Sequence, residues 1–117
     1  MINEKRPWGE YDILLDSDTC KVKRITVNPK QRLSYQYHYK RSETWIIVSG
    51  AGVVTLDDID QSVAPGDVIT INPEQRHRVC SSKDETLVFI EVQRGSYFGE
   101  DDIVRLSDDY GRLGGDN

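Results

Sequence analysis

The sequence contains little cysteine and histidine, and it has no excess of positive charge. Its two cysteines, Cys20 and Cys80, lie far apart and form no CxxC pair, so a disulfide framework is not expected. The 117 residues include 15 Lys and Arg against 20 Asp and Glu, a formal net charge of −5. Because nucleic acids and acidic membranes bind basic surfaces, this balance argues against either as the main partner.

Long apolar runs are also missing. No segment approaches the roughly 18 consecutive apolar residues of a membrane span. The N-terminal segment MINEKRP has no apolar region like that of a signal peptide. With two thiols and no leader, we expect a cytoplasmic protein. The length predicts a single domain over residues 1–117, with a core of about 6–112 and a frayed tail at 114–117.

The sequence does contain a series of short runs in which apolar and polar residues alternate. A period of two is typical of a β-strand with one buried face. The runs recur about every 8–12 residues, the spacing of strands in a sandwich or barrel. They cover residues 11–15, 20–27, 33–38, 45–49, 53–56, 61–63, 68–71, 77–80 and 86–92. This pattern predicts an all-β fold, to which the acidic tail from residue 99 adds a short helix or an outer strand.

The two histidines, His38 and His77, each lie in a strand-like run. Gln36 stands two positions before His38, so both side chains share one face of that strand. Glu43 follows just past the next turn. An amide oxygen, two imidazoles and a carboxylate suit a divalent cation such as Zn²⁺, Mn²⁺, Fe²⁺ or Ni²⁺. From spacing alone, two unrelated structural or surface histidines remain the more economical interpretation.

Several motifs follow one another in order along nearly the whole chain. They are RPWG at 6–9, KVKRI at 21–25, LSYQYHYKRSETWIIVSG at 33–50, PGD at 65–67, HR at 77–78, EVQRGSYFGEDDIVR at 91–105 and DYGR at 109–112. In this order they resemble the cupin superfamily and, more narrowly, the type II phosphomannose isomerase cupin. That module forms the C-terminal part of mannose-1-phosphate guanylyltransferase/mannose-6-phosphate isomerases and also occurs as a stand-alone chain.

The resemblance implies a double-stranded β-helix, also called a jelly-roll barrel, without the guanylyltransferase part. It also implies a divalent metal held by Gln36, His38, Glu43 and His77. One departure affects the metal motif itself, since Lys40 takes the second histidine position of the general cupin pattern.

The other departures lie in turns. Thr44 stands where the family often has histidine, and Lys30 replaces a glycine after Pro29. Asn72 and Glu74 replace the proline and glycine that usually precede the last histidine. These changes leave the four implied metal ligands in place and alter the turns around them.

The implied reaction is a metal-dependent aldose–ketose isomerisation of a sugar phosphate, most simply mannose 6-phosphate to fructose 6-phosphate. It needs a base near C2, and Glu91 is the candidate. Alternation over residues 86–93 places Glu91 on the same face as Leu87 and Phe89, so burial should raise its pKa into a useful range. The alternative is a carboxylate in an ion pair at the mouth of the barrel.

A sugar phosphate also needs a cationic anchor. Arg41, Arg78 and Arg105 are candidates because a guanidinium matches an oxyanion, and Arg41 could act on the enediolate itself. Lys23 and Lys40 are weaker candidates for the same role. For each one alone, a structural or solvated ion pair is the alternative.

Other interpretations stay open at this stage. Tyr35, Tyr37 and Tyr39 could stack on a sugar, although a packed outer face or dimer interface is the more economical interpretation. The acidic run 100–102 could bind a second cation or simply form a solvated turn.

The same pocket could serve a non-catalytic sugar-binding cupin or, less well without His-x-His, an oxygenase. We expect a homodimer, with the residues before Tyr11 pairing with a partner's sheet.

Overall fold

Eleven β-strands account for the regular structure of residues 2–112, the part of the chain that this computed structural model describes. The strands are β1 Ile2–Arg6, β2 Gly9–Asp16, β3 Cys20–Val27, β4 Tyr35–Tyr37, β5 Arg41–Ser49, β6 Gly52–Leu56, β7 Ile59–Val63, β8 Val68–Ile71, β9 His77–Ser81, β10 Leu87–Gly95 and β11 Val104–Ser107. The all-β prediction is confirmed. With no helix among residues 2–112, this part of the chain offers no helical segment that could span a bilayer.

The strands form two antiparallel sheets. One has six strands in the order β1-β2-β3-β10-β5-β8, and the other has five in the order β11-β4-β9-β6-β7. Strands that are distant in sequence therefore lie side by side, as β3 does beside β10 and β4 beside β9. Such connections are typical of jelly rolls and double-stranded β-helices. The buried apolar core draws side chains from both sheets, including Ile25 and Phe89 from the first and Val54 and Val79 from the second.

The inward face of the larger sheet changes character along its length. On β10, Leu87 and Phe89 are fully buried, and Glu91 and Gln93 continue the same face. β5 runs antiparallel to β10 and shows the same change. Its buried side chains, from the polar end to the apolar end, are Arg41, Glu43, Trp45 and Ile47. Trp45 packs against Phe89 with ring centroids 4.7 Å apart. One end of the barrel interior is thus apolar, and the other end holds buried polar groups.

Two of the turn departures fall where the backbone is left-handed. Lys30 has φ of 68° and Glu74 has φ of 66°, a region in which glycine is favoured because it lacks a Cβ. Both turns keep that backbone although neither residue is glycine. The Glu74 N–H donates to the carbonyl of His38, so the second turn lies directly beside a candidate ligand.

The two ends of the chain complete the sheets. β1 pairs with β2 of the same chain, so the homodimer through a partner's sheet stays a prediction. β11 pairs with β4, which confirms the outer-strand alternative for the acidic tail. The predicted fraying at 114–117 lies outside the described residues.

Candidate functional site

A cavity opens at the polar end of the barrel, where both sheets contribute buried hydrophilic side chains. His38, Glu43 and His77 offer ligand atoms that all lie within 4.8 Å of one another. Glu43 comes from β5 and His77 from β9, while His38 follows β4 directly. The three side chains are at most 4 % exposed, and the two imidazole rings lie 5.2 Å apart. The structure therefore brings the two histidines into one site, as predicted.

Each imidazole is fixed by a backbone carbonyl behind it. His38 Nδ1 lies 2.6 Å from the Asp102 carbonyl oxygen, and His77 Nδ1 lies 2.9 Å from that of Gln75. Since a carbonyl only accepts, both Nδ1 atoms carry the proton and each Nε2 keeps its lone pair. Metal-binding histidines are commonly oriented in this way. Burial lowers the pKa of His38 to about 4 and also lowers that of His77, so both rings are neutral at neutral pH.

Glu43 supplies the carboxylate. Its Oε1 accepts from Trp45 Nε1 and its Oε2 from Arg41 Nε, both at 2.9 Å. Burial alone would raise the pKa of Glu43, but above all the charge of Arg41 holds it well below the ordinary value. Two neutral imidazoles and one ionised carboxylate form a suitable donor set, so this group could hold a metal ion.

Gln36 lies beside this group. It is opposite His77 in the β4–β9 pairing, is 8 % exposed and lines the cavity. Its Nε2 donates to the Ser34 carbonyl at 3.5 Å, which leaves the amide oxygen as the atom that could join the ligand set. The fourth predicted ligand is therefore within the same cavity wall.

Glu91 lies deeper in the polar end of β10 and is 5 % exposed. Burial, followed by repulsion from the Glu43 carboxylate, raises the pKa of Glu91 to about 8. Lys23 lies directly opposite on β3, but its ammonium pairs with Glu100. The buried carboxyl predicted from the strand pattern is thus present.

The raised pKa predicts a pH-dependent stability that Glu91→Gln removes. Between the ordinary value of 4.5 and about 8, the folded chain keeps the Glu91 proton and the unfolded chain releases it. Stability from this group is therefore complete below pH 4.5 and is lost progressively until the pH has risen through about 8, by about 5 kcal/mol in total. Urea unfolding of the chelator-treated protein at pH 5, 7 and 9 measures this loss. Glu91→Gln should lack this loss, and Glu85→Gln, at an exposed position, should keep it. If the free energy of unfolding changed equally with pH in the parent and in both variants, the raised pKa would not belong to Glu91.

The cavity wall is rich in cations. Six cationic side chains line it together with three carboxylates: Arg6, Lys23, Arg41, Arg78, Arg105 and Arg112, and Glu43, Glu91 and Glu100. The chain as a whole has a net charge of −5. A local surplus of positive charge in an acidic protein attracts a small anion to the cavity.

The predicted cations differ in how they are held. Arg78 donates to the carbonyls of Leu33 at 2.8 Å and Ser107 at 3.1 Å, so it links β9 to the segment before β4 and to β11. Arg105 lies on β11, opposite Gln36. Lys40 does not reach the cavity: it is exposed, and its ammonium lies 5.2 Å from the ring centre of Tyr97.

Arg6 and Arg112 line the cavity although no role was predicted for them. Arg6 donates to the Tyr11 hydroxyl at 3.0 Å, and Arg112 pairs with Asp108 at 2.9 Å. They belong to the RPWG and DYGR motifs, whose presence was the signal available in the sequence.

The acidic run is used for structure in this part of the chain. Glu100 pairs with Lys23, and Asp101 accepts from the Tyr97 hydroxyl. Asp102 accepts the backbone N–H groups of residues 39 and 40 at 3.1 and 2.9 Å, while its own carbonyl holds His38. Asp102 is therefore a positioning residue for a candidate ligand, and these contacts favour the turn interpretation over a second cation site.

The three alternating tyrosines face away from the cavity. Tyr35 donates to Asp58 at 2.7 Å, and the hydroxyls of Tyr37 and Tyr39 lie 3.2 Å apart. None of the three lines the cavity that residues 2–112 form. The outer-face interpretation therefore agrees with their placement.

A jelly-roll barrel with a buried His/Glu/His group at one end defines a cupin. Solved structures agree with this class: the capsular polysaccharide assembling protein CapF from Staphylococcus aureus has a TM-score of 0.80 at 18% identity, covering 91% of this chain and 34% of that one. A double-stranded β-helix domain protein from Klebsiella pneumoniae has a TM-score of 0.72 at 21% identity, covering 82% of this chain and 77% of that one. At these identities the likeness shows the fold.

Sequence comparison identifies the family. The family model described as "Mannose-6-phosphate isomerase C-terminal" matches residues 2–108, and the chain belongs to this family. Alginate biosynthesis protein AlgA of Pseudomonas aeruginosa is 47% identical over 107 residues, which are 92% of this chain and 22% of AlgA. Mannose-1-phosphate guanylyltransferase of Escherichia coli is 42% identical over 108 residues, 92% of this chain and 23% of the relative. The chain thus spans less than a quarter of the length of these relatives, and the resemblance drawn from its motifs is confirmed.

Proposed function

We propose that this domain is a metal-dependent sugar-phosphate isomerase that interconverts mannose 6-phosphate and fructose 6-phosphate. The observation that carries the proposal is one cavity holding three different groups. These are a His/Glu/His set, a buried carboxyl with a raised pKa and a surplus of guanidinium groups. The family description supports this activity, and the names of the relatives support a place in nucleotide-sugar and polysaccharide synthesis.

The isomerisation requires a base that exchanges one proton between two neighbouring carbons. Glu91 would remove the C2 proton of the open-chain aldose and return it to C1, while the hydroxyl proton moves from O2 to O1. A carboxylate with a pKa of about 8 is a far stronger base than an ordinary one, and burial shields it from water. The enediolate formed between the two steps is an anion and favours a site lined by guanidinium groups.

The ion in this proposal is Zn²⁺, Mn²⁺, Fe²⁺ or Ni²⁺, held by Gln36, His38, Glu43 and His77. Imidazole, carboxylate and amide oxygen ligands are compatible with each of them. When bound, such an ion supplies Lewis-acid polarisation or orientation of the substrate oxygens.

The phosphate would bind beside β11. Arg6, Arg105 and Arg112 reach the cavity from β1, from β11 and from the segment that follows it. Burial, and then the charges of Arg112 and Arg6, lower the pKa of Arg105, which means that these guanidinium groups repel one another. A phosphate dianion placed among them would relieve this repulsion and accept several charge-assisted hydrogen bonds.

The test combines metal analysis with a coupled assay for fructose 6-phosphate made from mannose 6-phosphate. The purified chain should contain one divalent metal and show turnover. Arg105→Met should raise KM by about 10–100-fold, the value of one or two charge-assisted hydrogen bonds, while exposed Arg94→Met leaves it unchanged. Bound metal without turnover would contradict the isomerase and favour the non-catalytic sugar-phosphate-binding cupin.

A further inference from the structure

The side chain of Arg41 lies between two of the candidate metal ligands. Its Nε donates to Glu43 Oε2 at 2.9 Å, and its Nη2 lies 3.2 Å from His38 Nε2. Arg41 is 5 % exposed, so this contact is made inside the cavity wall and away from bulk water. A guanidinium thus takes the position of a cation between an imidazole and a carboxylate.

This arrangement excludes a metal ion on the same atoms. His38 Nδ1 is committed as a donor to the Asp102 carbonyl, so Nε2 has one lone pair, and Arg41 uses it. A metal bound to His38 would need that same lone pair, and it would also need the carboxylate that Arg41 neutralises. Two cations on one imidazole and one carboxylate would also repel each other strongly in a buried site.

We propose that Arg41 is an exchangeable internal cation, which holds His38 and Glu43 together in the metal-free protein and is released into the cavity when metal binds. The released guanidinium then binds an oxyanion, so that metal and anionic ligand bind cooperatively. This inference rests on the proposed function, since it uses the same metal site and the same class of ligand.

Two features of Arg41 support its release. Its Nη1 is buried and has no hydrogen-bond partner among residues 2–112, so the present position leaves one donor unsatisfied. Glu100, whose side chain is partly exposed and lines the same cavity, also attracts the guanidinium. The side chain therefore has an unused donor in its present position and is attracted by a second carboxylate in the cavity wall.

The exchange has a clear physical benefit for the metal-free protein. Without Arg41, Glu43 would be a buried carboxylate with no full counter-charge, and such uncompensated charges are strongly destabilising. Arg41 keeps the ligands preformed until a metal replaces it. Removal of the Arg41 side chain should therefore destabilise the metal-free chain and increase the stabilisation gained when metal binds.

The experiment measures Mn²⁺ binding by the EPR signal of the free ion, using chelator-treated protein with and without inorganic phosphate. Arg41→Met should bind Mn²⁺ about tenfold more tightly than the parent, because no internal cation competes. Phosphate should tighten Mn²⁺ binding to the parent by at least about fivefold, a common size of coupling between sites. Arg41→Met should show no such coupling. Arg41→Lys should retain part of the competition with Mn²⁺ and part of the coupling to phosphate. Arg94→Met, the exposed control, should behave as the parent does.

Thermal unfolding provides a second measurement on the same proteins. Metal-free Arg41→Met should unfold at a lower temperature than the parent, and Mn²⁺ should raise its unfolding temperature by more. Parent protein that binds Mn²⁺ while Arg41→Met binds it no more tightly would overturn the exchange and leave the isomerase proposal standing. If Arg41→Met bound Mn²⁺ more tightly but kept the phosphate coupling of the parent, only the cooperativity between metal and anion would be overturned. A parent that binds no divalent metal would overturn the metal site itself and both proposals with it.

Discussion

His77→Ala should lose its bound divalent metal and, with it, the isomerase activity. His77 is 3 % exposed, and the Gln75 carbonyl fixes its ring so that the lone pair of Nε2 is available to a metal ion. Removing the ring leaves His38 and Glu43, which already contact Arg41. Substituting a residue that hydrogen-bonds to a metal ligand commonly lowers metal affinity by about 10–100-fold. Loss of the ligand itself should therefore lower the affinity by more than about 100-fold. Metal content after dialysis against metal-free buffer is the measurement.

A matched control lies on the same strand. Cys80 is half-buried on β9 and does not line the cavity, so Cys80→Ser should keep the parent's metal content. His77→Leu retains most of the side-chain volume, offers no ligand atom, and separates metal loss from a packing defect next to Trp45, whose ring lies 5.9 Å from that of His77. A His77→Ala protein with the parent's metal content would show that the ligand set is wrong.

Glu91→Gln should lower kcat by about 10²–10⁴-fold, the usual contribution of a general base. The amide keeps the shape of the side chain but cannot take up the C2 proton. Glu91 is not among the candidate ligands, so the metal content should not change. The measurement is kcat for mannose 6-phosphate in parent and variant, with metal content determined on the same samples.

The pH profile gives this prediction a second readout. A carboxyl with a pKa of about 8 becomes a base only as the pH rises through that value, so kcat of the parent should increase with pH up to a plateau. The residual rate of Glu91→Gln should lack this step. Glu85→Gln, an exposed carboxylate before β10, should leave both rate and profile unchanged. A Glu91→Gln enzyme as fast as the parent would exclude Glu91 as the base.

The alternation of residues along individual strands correctly predicted which side chains face inward. Gln36 and His38 share the buried face of β4 and its extension, and Glu91 shares that of β10 with Leu87 and Phe89. The reason is local: successive side chains on a strand point to opposite sides, so one buried residue fixes the orientation of its neighbours.

Alternation gives no information where the chain turns. Lys40 stands two positions after His38 and would share its face on a continuous strand, but residues 39 and 40 form a bend, and Lys40 is exposed. The backbone of that bend is held by the Asp102 carboxylate, which comes from a distant part of the sequence. A contact of this kind has no signature in the neighbouring residues.

The terminal motifs show the same limit. Arg6 and Arg112 were visible in RPWG and DYGR, yet their approach to one cavity depends on β1 joining the first sheet and on the chain after β11 folding back. Their charges are separated by most of the chain, so only tertiary packing could place them together.

The sequence by itself determined the all-β character of this protein and the chemistry of its inward faces, because both follow from local alternation of side chains. The ordered motifs added the family. Only the tertiary structure decided which inward residues meet, because the pairing of β4 with β9 sets Gln36 opposite His77 and brings the two histidines together. It also placed Arg41 on His38 and Glu43, since the position of a long side chain in a buried site depends on every group that packs around it.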